Sequence, residues 1–212
     1  HSDLPNMLSK IAKQNNIDKF IHLSALAIEN APDSEYAKSK LDGENKIKIN
    51  FKNYLILKPS IVYSVDDKFT TNFMSLLNKL PIMPLYYNGS TKFSPIHVND
   101  LVNIILELIE RKNDNLVLEC VGPEVFSFKE IIQMLLKSID KKRLLLPLPL
   151  SLAKLNARIF QLMPKPLLTM DQLRLLKYDN VVSKKYKTNF DYKIEANKKF
   201  DDEINRYSFN WT

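Results

Sequence analysis

The sequence predicts an α/β protein built on a parallel sheet, with a mostly helical C-terminal part. Three observations predict this class. Short apolar segments without alternation, such as 20–24 and 54–57, are typical of strands that are buried on both faces. Longer helical patterns separate these strands, as they do in parallel sheets. After residue 125 the patterns are mainly helical, which indicates a cap rather than more sheet.

Start and stop signals give the bounds of the predicted helices. Asp33 or Ser34 can cap a helix, and capping boxes begin at Ser127 and Thr169. Pro81 ends another helix, because proline disrupts the helix interior. The predicted helices cover residues 5–16, 35–49, 70–80, 98–110, 127–139, 151–162, 169–178 and 194–207.

The strands lie between these helices. Besides 20–24 and 54–57, extended segments are predicted at 92–96, 116–121 and 144–150. Pro147 and Pro149 exclude the last of these from the centre of a sheet, since proline cannot donate to its neighbour.

Composition excludes several classes of protein. The 212 residues contain no run near the ~20 apolar residues that span a bilayer. The net charge of +7 comes from scattered lysines, which favour a solvated surface over a nucleic-acid face. Cys120 is the single cysteine, so no internal disulfide can form, and with three histidines there is no metal-ligand spacing. His1 leads directly into a helical pattern, so we expect the sequence to begin inside a longer protein.

The chemical centre of the sequence lies between residues 19 and 40. A short strand ends at Ser24, and the helix after it carries Tyr36 and Lys40. Four residues apart, these two side chains lie on one helix face. A lysine ammonium there would lower the pKa of the tyrosine and suit it to proton transfer at a carbonyl or carbinol. A serine hydroxyl at the strand end would orient the substrate oxygen.

Several segments, in order, resemble one family. The chain from about residue 4 onward is similar to the distal two-thirds of an extended (atypical) short-chain dehydrogenase/reductase. It most resembles the branch of the nucleotide-binding accessory subunit of respiratory complex I and its bacterial relatives. The segments are KFIHLSAL (19–26), YAKSK (36–40), LKPSIVY (57–63), PIHVND (95–100), VGP (121–123), LTMDQ (168–172) and LLKYDNVVS (175–183).

The resemblance implies a fold, a cofactor and a set of site residues. The fold is the distal part of a doubly wound, Rossmann-like parallel sheet over residues 1–125, with a mainly helical subdomain over 126–212 to which 92–100 could contribute. The cofactor is NAD(P)(H), with NADP(H) favoured. The implied catalytic residues are Tyr36, Lys40 and Ser24. The implied cofactor-binding residues are Ser24, Tyr36, Lys40, Pro59, Ser60, Ile61 and Val62.

Two departures from the family pattern weaken the case for catalysis. Gly43, Gly89 and Gly122 are the three glycines, and none stands in the Gly-x-x-Gly-x-x-Gly loop that holds the cofactor's phosphates. We therefore expect this sequence alone to bind the nucleotide weakly or not at all. The substrate-orienting serine of active relatives falls one position after Ser24, where this chain has Ala25.

Three functions remain open at this stage. The first is an NAD(P)H-binding accessory or assembly protein of the complex I type. The second is an active oxidoreductase, epimerase or dehydratase that uses Tyr36 as its acid or base, and the third is a non-catalytic interaction module. The expected partners are a nicotinamide nucleotide, respiratory complex I subunits or the membrane surface, and a missing N-terminal segment or a second subunit, but no nucleic acid. The implied location is the cytoplasm of a bacterium, peripheral to the inner face of the membrane, or the mitochondrial matrix side of a eukaryote.

Overall fold

The computed structural model describes residues 1–111, 115–149, 151–152 and 169–211. Its helices are α1 (Asp3–Gln14), α2 (Glu35–Asn50), α3 (Thr70–Lys79), α4 (Val98–Glu110), α5 (Phe128–Ser138), α6 (Met170–Leu175) and α7 (Phe200–Tyr207). Its strands are β1 (Phe20–Leu23), β2 (Tyr54–Pro59), β3 (Val62–Tyr63), β4 (Ile82–Leu85), β5 (Lys92–Phe93), β6 (Ile96–His97), β7 (Leu116–Cys120), β8 (Phe126–Ser127), β9 (Leu144–Pro147) and β10 (Lys187–Thr188).

The main sheet has four parallel strands in the order β1-β2-β7-β10. Leu57 of β2 stands between Leu23 of β1 and Leu118 of β7, so the ends of the first three strands lie together. Helices connect the strands, as parallel pairing requires. The predicted α/β class with a parallel sheet is thus confirmed.

Side chains of β2 alternate between the two faces of the sheet, and both faces are covered. Leu55 and Leu57 pack with Ile104 and Leu108 of α4 in one core. The other face carries Ile56 and Lys58, and α2 lies against it. This double burial explains why β2 reads as a continuous apolar run that is broken only by Lys58.

Gly122 follows β7 and allows the chain there to pass close to the backbone of Pro95. A Cβ at Gly122 would lie 1.9 Å from the carbonyl oxygen of Pro95, which no larger residue could tolerate. The approach brings the end of β7 beside the segment that leads into β6. These strand ends form the edge of the sheet where the candidate site lies.

A second core joins the middle of the chain to its C-terminal part. Helices α3, α5 and α7 pack together through Met74, Leu77, Ile132, Leu135 and Ile204, all of which are fully or almost fully buried. Short strand pairs border this core: β3 with β6 and β4 with β9 are parallel, and β5 with β8 is antiparallel. The sequence predicted the helices but none of these three pairs.

Several predicted bounds need correction. The first helix covers Asp3–Gln14 rather than 5–16, and α6 ends at Leu175 rather than 178. The last helix begins at Phe200, not at residue 194, since Ile194 belongs to the loop that follows β10. The segment 126–212 also adds β10 to the main sheet, where only a helical cap was expected. The predicted helix at 151–162 lies almost entirely outside the described residues, and the division at residue 125 stays a prediction.

The surface beside β1 is apolar. Within the described chain, β1 pairs with β2 on one side only, and Leu23 is exposed. Leu4, Met7, Leu8 and Ile11 of α1 are exposed as well, although α1 packs against α2 through its other side. In the parts of the chain that the structure describes, no helix is long and apolar enough to cross a membrane.

Candidate functional site

The helix that carries Tyr36 begins at a doubly capped N-terminus. The Ser34 hydroxyl accepts a hydrogen bond from the amide of Ala37 at 3.2 Å, as predicted for a capping serine. The carboxylate of Asp171 accepts from the Ser34 hydroxyl at 2.9 Å and from the amides of Glu35 and Tyr36 at 2.9 and 3.1 Å. A carboxylate is stabilised there by the positive end of the helix dipole. The segment around α6 therefore fixes the start of the Tyr36 helix.

The pKa of Asp171 reflects these contacts. Burial acts to raise it, but hydrogen bonds from the Tyr36 and Glu35 amides and from Ser34, together with Arg174, lower the pKa of Asp171 overall. The sequence predicted Asp171 only as a residue within the capping box of its own helix. The partners lie about 135 residues apart in sequence, and no local signal links them.

Lys40 lies one helical turn after Tyr36, as predicted. Its Nζ is 5.9 Å from the centre of the Tyr36 ring and donates a hydrogen bond to the carbonyl of Leu23 at 3.0 Å. The expected lowering of the tyrosine pKa is not found, since burial raises the pKa of Tyr36. Burial likewise lowers the pKa of Lys40, against the opposing charge of Glu44. Tyr36 is therefore a protonated phenol near neutral pH, able to donate a hydrogen bond.

Ser24 belongs to a group of three charged side chains and one hydroxyl, here called the ionic cluster: Ser24, Glu29, Glu44 and Lys58. Glu29 is half-buried and the other three are buried. The Ser24 hydroxyl donates to Oε1 of Glu44. Lys58 is fully buried and donates to the same oxygen at 2.6 Å and to Glu29 at 2.7 Å. Buried ions need such partners, because the interior solvates charge poorly. The hydroxyl of Ser24 is thus committed to Glu44, one helical turn beyond Lys40.

A cavity of about 380 Å³ opens at the ends of β1 and β2. Tyr36, Pro59, Ser60 and Ile61 line it, and so does Ala25. Four predicted site residues are therefore brought together around one space. Ser24 and Lys40 lie next to the cavity without lining it, and Val62 packs instead in the core under α4.

The opposite side of the cavity is made of aromatic rings, here called the aromatic wall: Phe93, Phe69, Phe73 and Phe128. Successive ring centres in this order are 6.2, 5.1 and 5.3 Å apart, within the range of favourable aromatic pairs. Leu76, Leu175 and Leu176 extend the apolar lining. The sequence did not predict this wall, because its members come from three separate segments: the start of α3, the end of β5 and the start of α5.

Polar side chains near β2 join the two sides of the cavity. Ser60 donates to Oδ1 of Asn180 at 2.6 Å, and Nδ2 of Asn180 donates to the carbonyl of Leu26 at 2.8 Å. Lys92 donates its amide to Asp179 at 2.8 Å. The segment after α6 is thereby fastened to the loop that follows β1 and to the end of β2.

The groups around the cavity are of the kinds that suit the nicotinamide end of a dinucleotide, and one cation, Lys68, lies in the lining. A protonated phenol, a nearby ammonium and the turn at Pro59–Ile61 are suited to a ribose and a planar amide-bearing ring. A glycine loop of the Gly-x-x-Gly-x-x-Gly type is absent from the sequence. In the described residues, no cluster of three or more His, Cys, Asp or Glu side chains could hold a metal ion.

The chain matches a known family model over residues 27–159, which is more than half of its length. That model describes the RmlD substrate binding domain. The chain belongs to the RmlD substrate binding domain family. This membership agrees with the resemblance that the motifs around Tyr36 and Pro59 predicted, which is confirmed.

Two curated relatives of this family member are mitochondrial NADH dehydrogenase subunits. The chain is 32% identical over 122 residues to the mitochondrial NADH dehydrogenase [ubiquinone] 1 alpha subcomplex subunit 9 of Dictyostelium discoideum, covering 57% of this chain and 34% of that protein. It is 23% identical over 198 residues to the mitochondrial NADH-ubiquinone oxidoreductase 40 kDa subunit of Neurospora crassa, covering 92% and 52%. The chain thus spans about half or less of the length of these relatives.

Several solved structures with the same fold are enzymes in complex with NAD. The UDP-glucose 4-epimerase of Thermus thermophilus, in complex with NAD, superposes with a TM-score of 0.71 at 15% identity, covering 98% of this chain and 68% of the epimerase. At this identity the likeness shows the fold alone. The fold of this RmlD-family chain is that of the short-chain dehydrogenase/reductases, as predicted.

Proposed function

We propose that the protein is an NAD(P)(H)-binding accessory or assembly-type partner of a respiratory NADH dehydrogenase. The observation that carries this proposal is the similarity to complex I subunits over as much as 92% of the chain, combined with a nicotinamide-type cavity at Tyr36. NAD-bound structures with the same fold support nucleotide binding in general. We propose NADP(H) as the bound form.

The proposed nucleotide-binding residues lie in and beside the cavity. Tyr36 and Lys40 would contact the nicotinamide ribose, and the backbone at Pro59–Ile61 would lie against the ring. An ammonium has three donors, so the bond from Lys40 to Leu23 leaves others for ribose hydroxyls. When bound, the nucleotide supplies hydride-transfer chemistry.

Binding is favoured over turnover by the residues beside Tyr36. The cavity-lining position after β1 is Ala25, which has no hydroxyl. The neighbouring Ser24 hydroxyl donates to the buried carboxylate of Glu44. A substrate oxygen at Tyr36 would therefore lack the second hydrogen-bond donor that Ser24 was predicted to supply.

The second candidate is an active oxidoreductase, epimerase or dehydratase. It is favoured by one observation, that the protonated Tyr36 lines the cavity beside Lys40 and could act as an acid toward a carbonyl. Nicotinamide-dependent turnover that is lost in the Tyr36→Phe variant would support it. Turnover that is unchanged in this variant would remove it.

The exposed apolar surface supports a macromolecular partner. Leu4, Met7, Leu8 and Ile11 of α1 and Leu23 of β1 are exposed, and β1 has an unpaired edge in the described sheet. Exposed apolar side chains and unpaired strand edges are features of interaction surfaces. We propose that other dehydrogenase subunits or a further segment of the protein cover these residues, on the matrix or cytoplasmic side of the membrane.

Isolation of the protein from its host tests the proposed function. The tagged protein is expected to migrate with the NADH dehydrogenase assembly on native gels and to release NADP(H) when it is denatured. The nucleotide is identified by chromatography, which separates NADP(H) from NAD(H). Protein that carries no nucleotide and never migrates with the assembly would contradict the proposal.

A further inference from the structure

We propose that the cavity next to Tyr36 binds an uncharged, hydrocarbon-rich ligand rather than a charged nucleotide sugar. The ligand's apolar body would lie along the aromatic wall, and its single carbonyl or hydroxyl group would lie at Tyr36. The proposal rests on the proposed function only for the position of the nicotinamide, because Tyr36 belongs both to the proposed nicotinamide site and to the proposed ligand site. Binding of the apolar body depends on the opposite side of the cavity.

The aromatic wall is the first observation. Phe69 and Phe73 are half-buried although they pack against the core of α3, α5 and α7, so part of each ring faces the cavity. Leu76 is also half-buried and lines the same space. Removing such surface from water is favourable in proportion to its area, which favours an apolar occupant.

The charges around the cavity are the second observation. Among the described lining residues, Lys68 is the one cation and Asp179 the one anion. A diphosphate needs several cationic or amide donors, as phosphate sites show. The carboxylate of Asp179 accepts from the Lys92 amide. The cavity therefore has little to offer a doubly charged group.

The remaining polar groups are the third observation. Ser60 and Asn180 line the cavity but bond to one another, and Asn180 also bonds to Leu26. Oε1 of Gln172 accepts from the Thr169 amide. A sugar ring could use Ser60, Asn180 or this oxygen of Gln172 only by breaking these bonds. Asn72 and Tyr178 are the further uncharged polar residues of the described lining besides Tyr36.

The size of the cavity limits the ligand. Its volume of about 380 Å³ is at the lower end of the roughly 300–1,000 Å³ typical of small-molecule sites. A single short hydrocarbon chain or a small aromatic ring system is compatible with this space. Part of the space at Pro59 would be occupied by a nicotinamide ring.

Titration with N-phenylnaphthylamine tests the proposal directly. This uncharged probe becomes fluorescent in apolar sites, and it is titrated into the protein without nucleotide. We expect saturable binding that decanal displaces and UDP-glucose does not. Since no nucleotide is present, failure of nucleotide binding by itself would leave this result unaffected.

Two substitutions at one cavity position locate the site. Leu76→Asn places an amide in the cavity and is expected to weaken probe binding about tenfold, and Leu76→Trp fills the space and should weaken it similarly. The tryptophan variant keeps an apolar side chain, so it remains informative if the asparagine variant fails to fold. Leu106→Asn, on the exposed side of α4, is the matched control and should leave probe binding unchanged.

Three results would overturn the inference. The first is an absence of saturable probe binding, as expected if part of the chain itself fills the cavity. The second is displacement of the probe by UDP-glucose but not by decanal. The third is equal binding by the Leu76 variants and the wild-type protein.

Discussion

The two sides of the cavity differ in how they are built and in what they can bind. The Tyr36 side lies next to the ionic cluster, whose hydrogen bonds link the end of β1 and the loop after it to α2 and β2. The opposite side is the aromatic wall, which has no charge and is packed against a separate core. In our proposal, the Tyr36 side would recognise a ribose through polar groups and the aromatic wall would make apolar contacts.

The largest change in stability is expected from a substitution in the ionic cluster. Lys58→Met removes the partner of two carboxylates, one of them fully buried, and should lower the free energy of unfolding by about 3–5 kcal/mol. Urea denaturation measures this loss. The control is Lys48→Met, whose ammonium lies 3.8 Å from the other oxygen of Glu44 and is partly exposed, and it should cost less than about 1 kcal/mol. Equal losses in the two variants would show that the cluster does not support this side of the cavity.

Substitution of Ser24 tests whether its hydroxyl stabilises the fold or binds the nucleotide. Ser24→Ala leaves Glu44 short of one donor and should lower the free energy of unfolding by about 1–3 kcal/mol, with no change in nucleotide affinity. Ser39→Ala is the control, because Ser39 bonds only to the backbone of its own helix and alanine favours helix. It should be nearly neutral. A loss of nucleotide affinity in Ser24→Ala without a loss of stability would reverse the assignment.

Asp171 tests whether the C-terminal part holds the Tyr36 helix. Asp171→Asn keeps the shape but removes the charge at the helix N-terminus, and should cost about 1 kcal/mol of unfolding free energy. The exposed Asp33→Asn variant serves as the control and should cost little.

The pH dependence of the unfolding free energy provides a second test of the Asp171 contacts. The pKa of Asp171 is lower in the folded protein than its ordinary value of 3.8, so its contribution is full above that value. The contribution is lost as the pH falls through the lower, folded pKa. The stability difference between wild-type protein and Asp171→Asn should therefore shrink in acid, and a difference that grows in acid would contradict the assignment.

The sequence predicted one side of the cavity better than the other for a physical reason. Tyr36 and Lys40 lie within one helix, so their spacing alone places them on one face. Pro59 and Ser60 follow a strand with a clear apolar pattern. The aromatic wall depends instead on α3, α5 and β5 meeting in space, and phenylalanines at helical spacing look like ordinary core residues.

Two further features could not be predicted from local sequence. The spacing of Tyr36 and Lys40 suggested a lowered tyrosine pKa, but the burial of the ring, which the spacing does not reveal, raises the pKa of Tyr36. The strand β10 has only two residues, and its position is set by pairing with β7 and by Asn189, which donates to Ile194 and accepts from the Val121 amide. Tertiary contacts decide both features.

The central claim is that Lys40 and Tyr36 hold a nicotinamide nucleotide, and titration of the protein at its native length with NADPH tests it most directly. The change in nicotinamide fluorescence gives the dissociation constant. Lys40→Met should weaken binding about tenfold, as expected for loss of a charged hydrogen-bond donor. Lys38→Met changes an exposed lysine of the same helix that pairs with Glu35, and it should have no effect. The same NADPH affinity in the Lys40→Met variant and the wild-type protein would contradict the account.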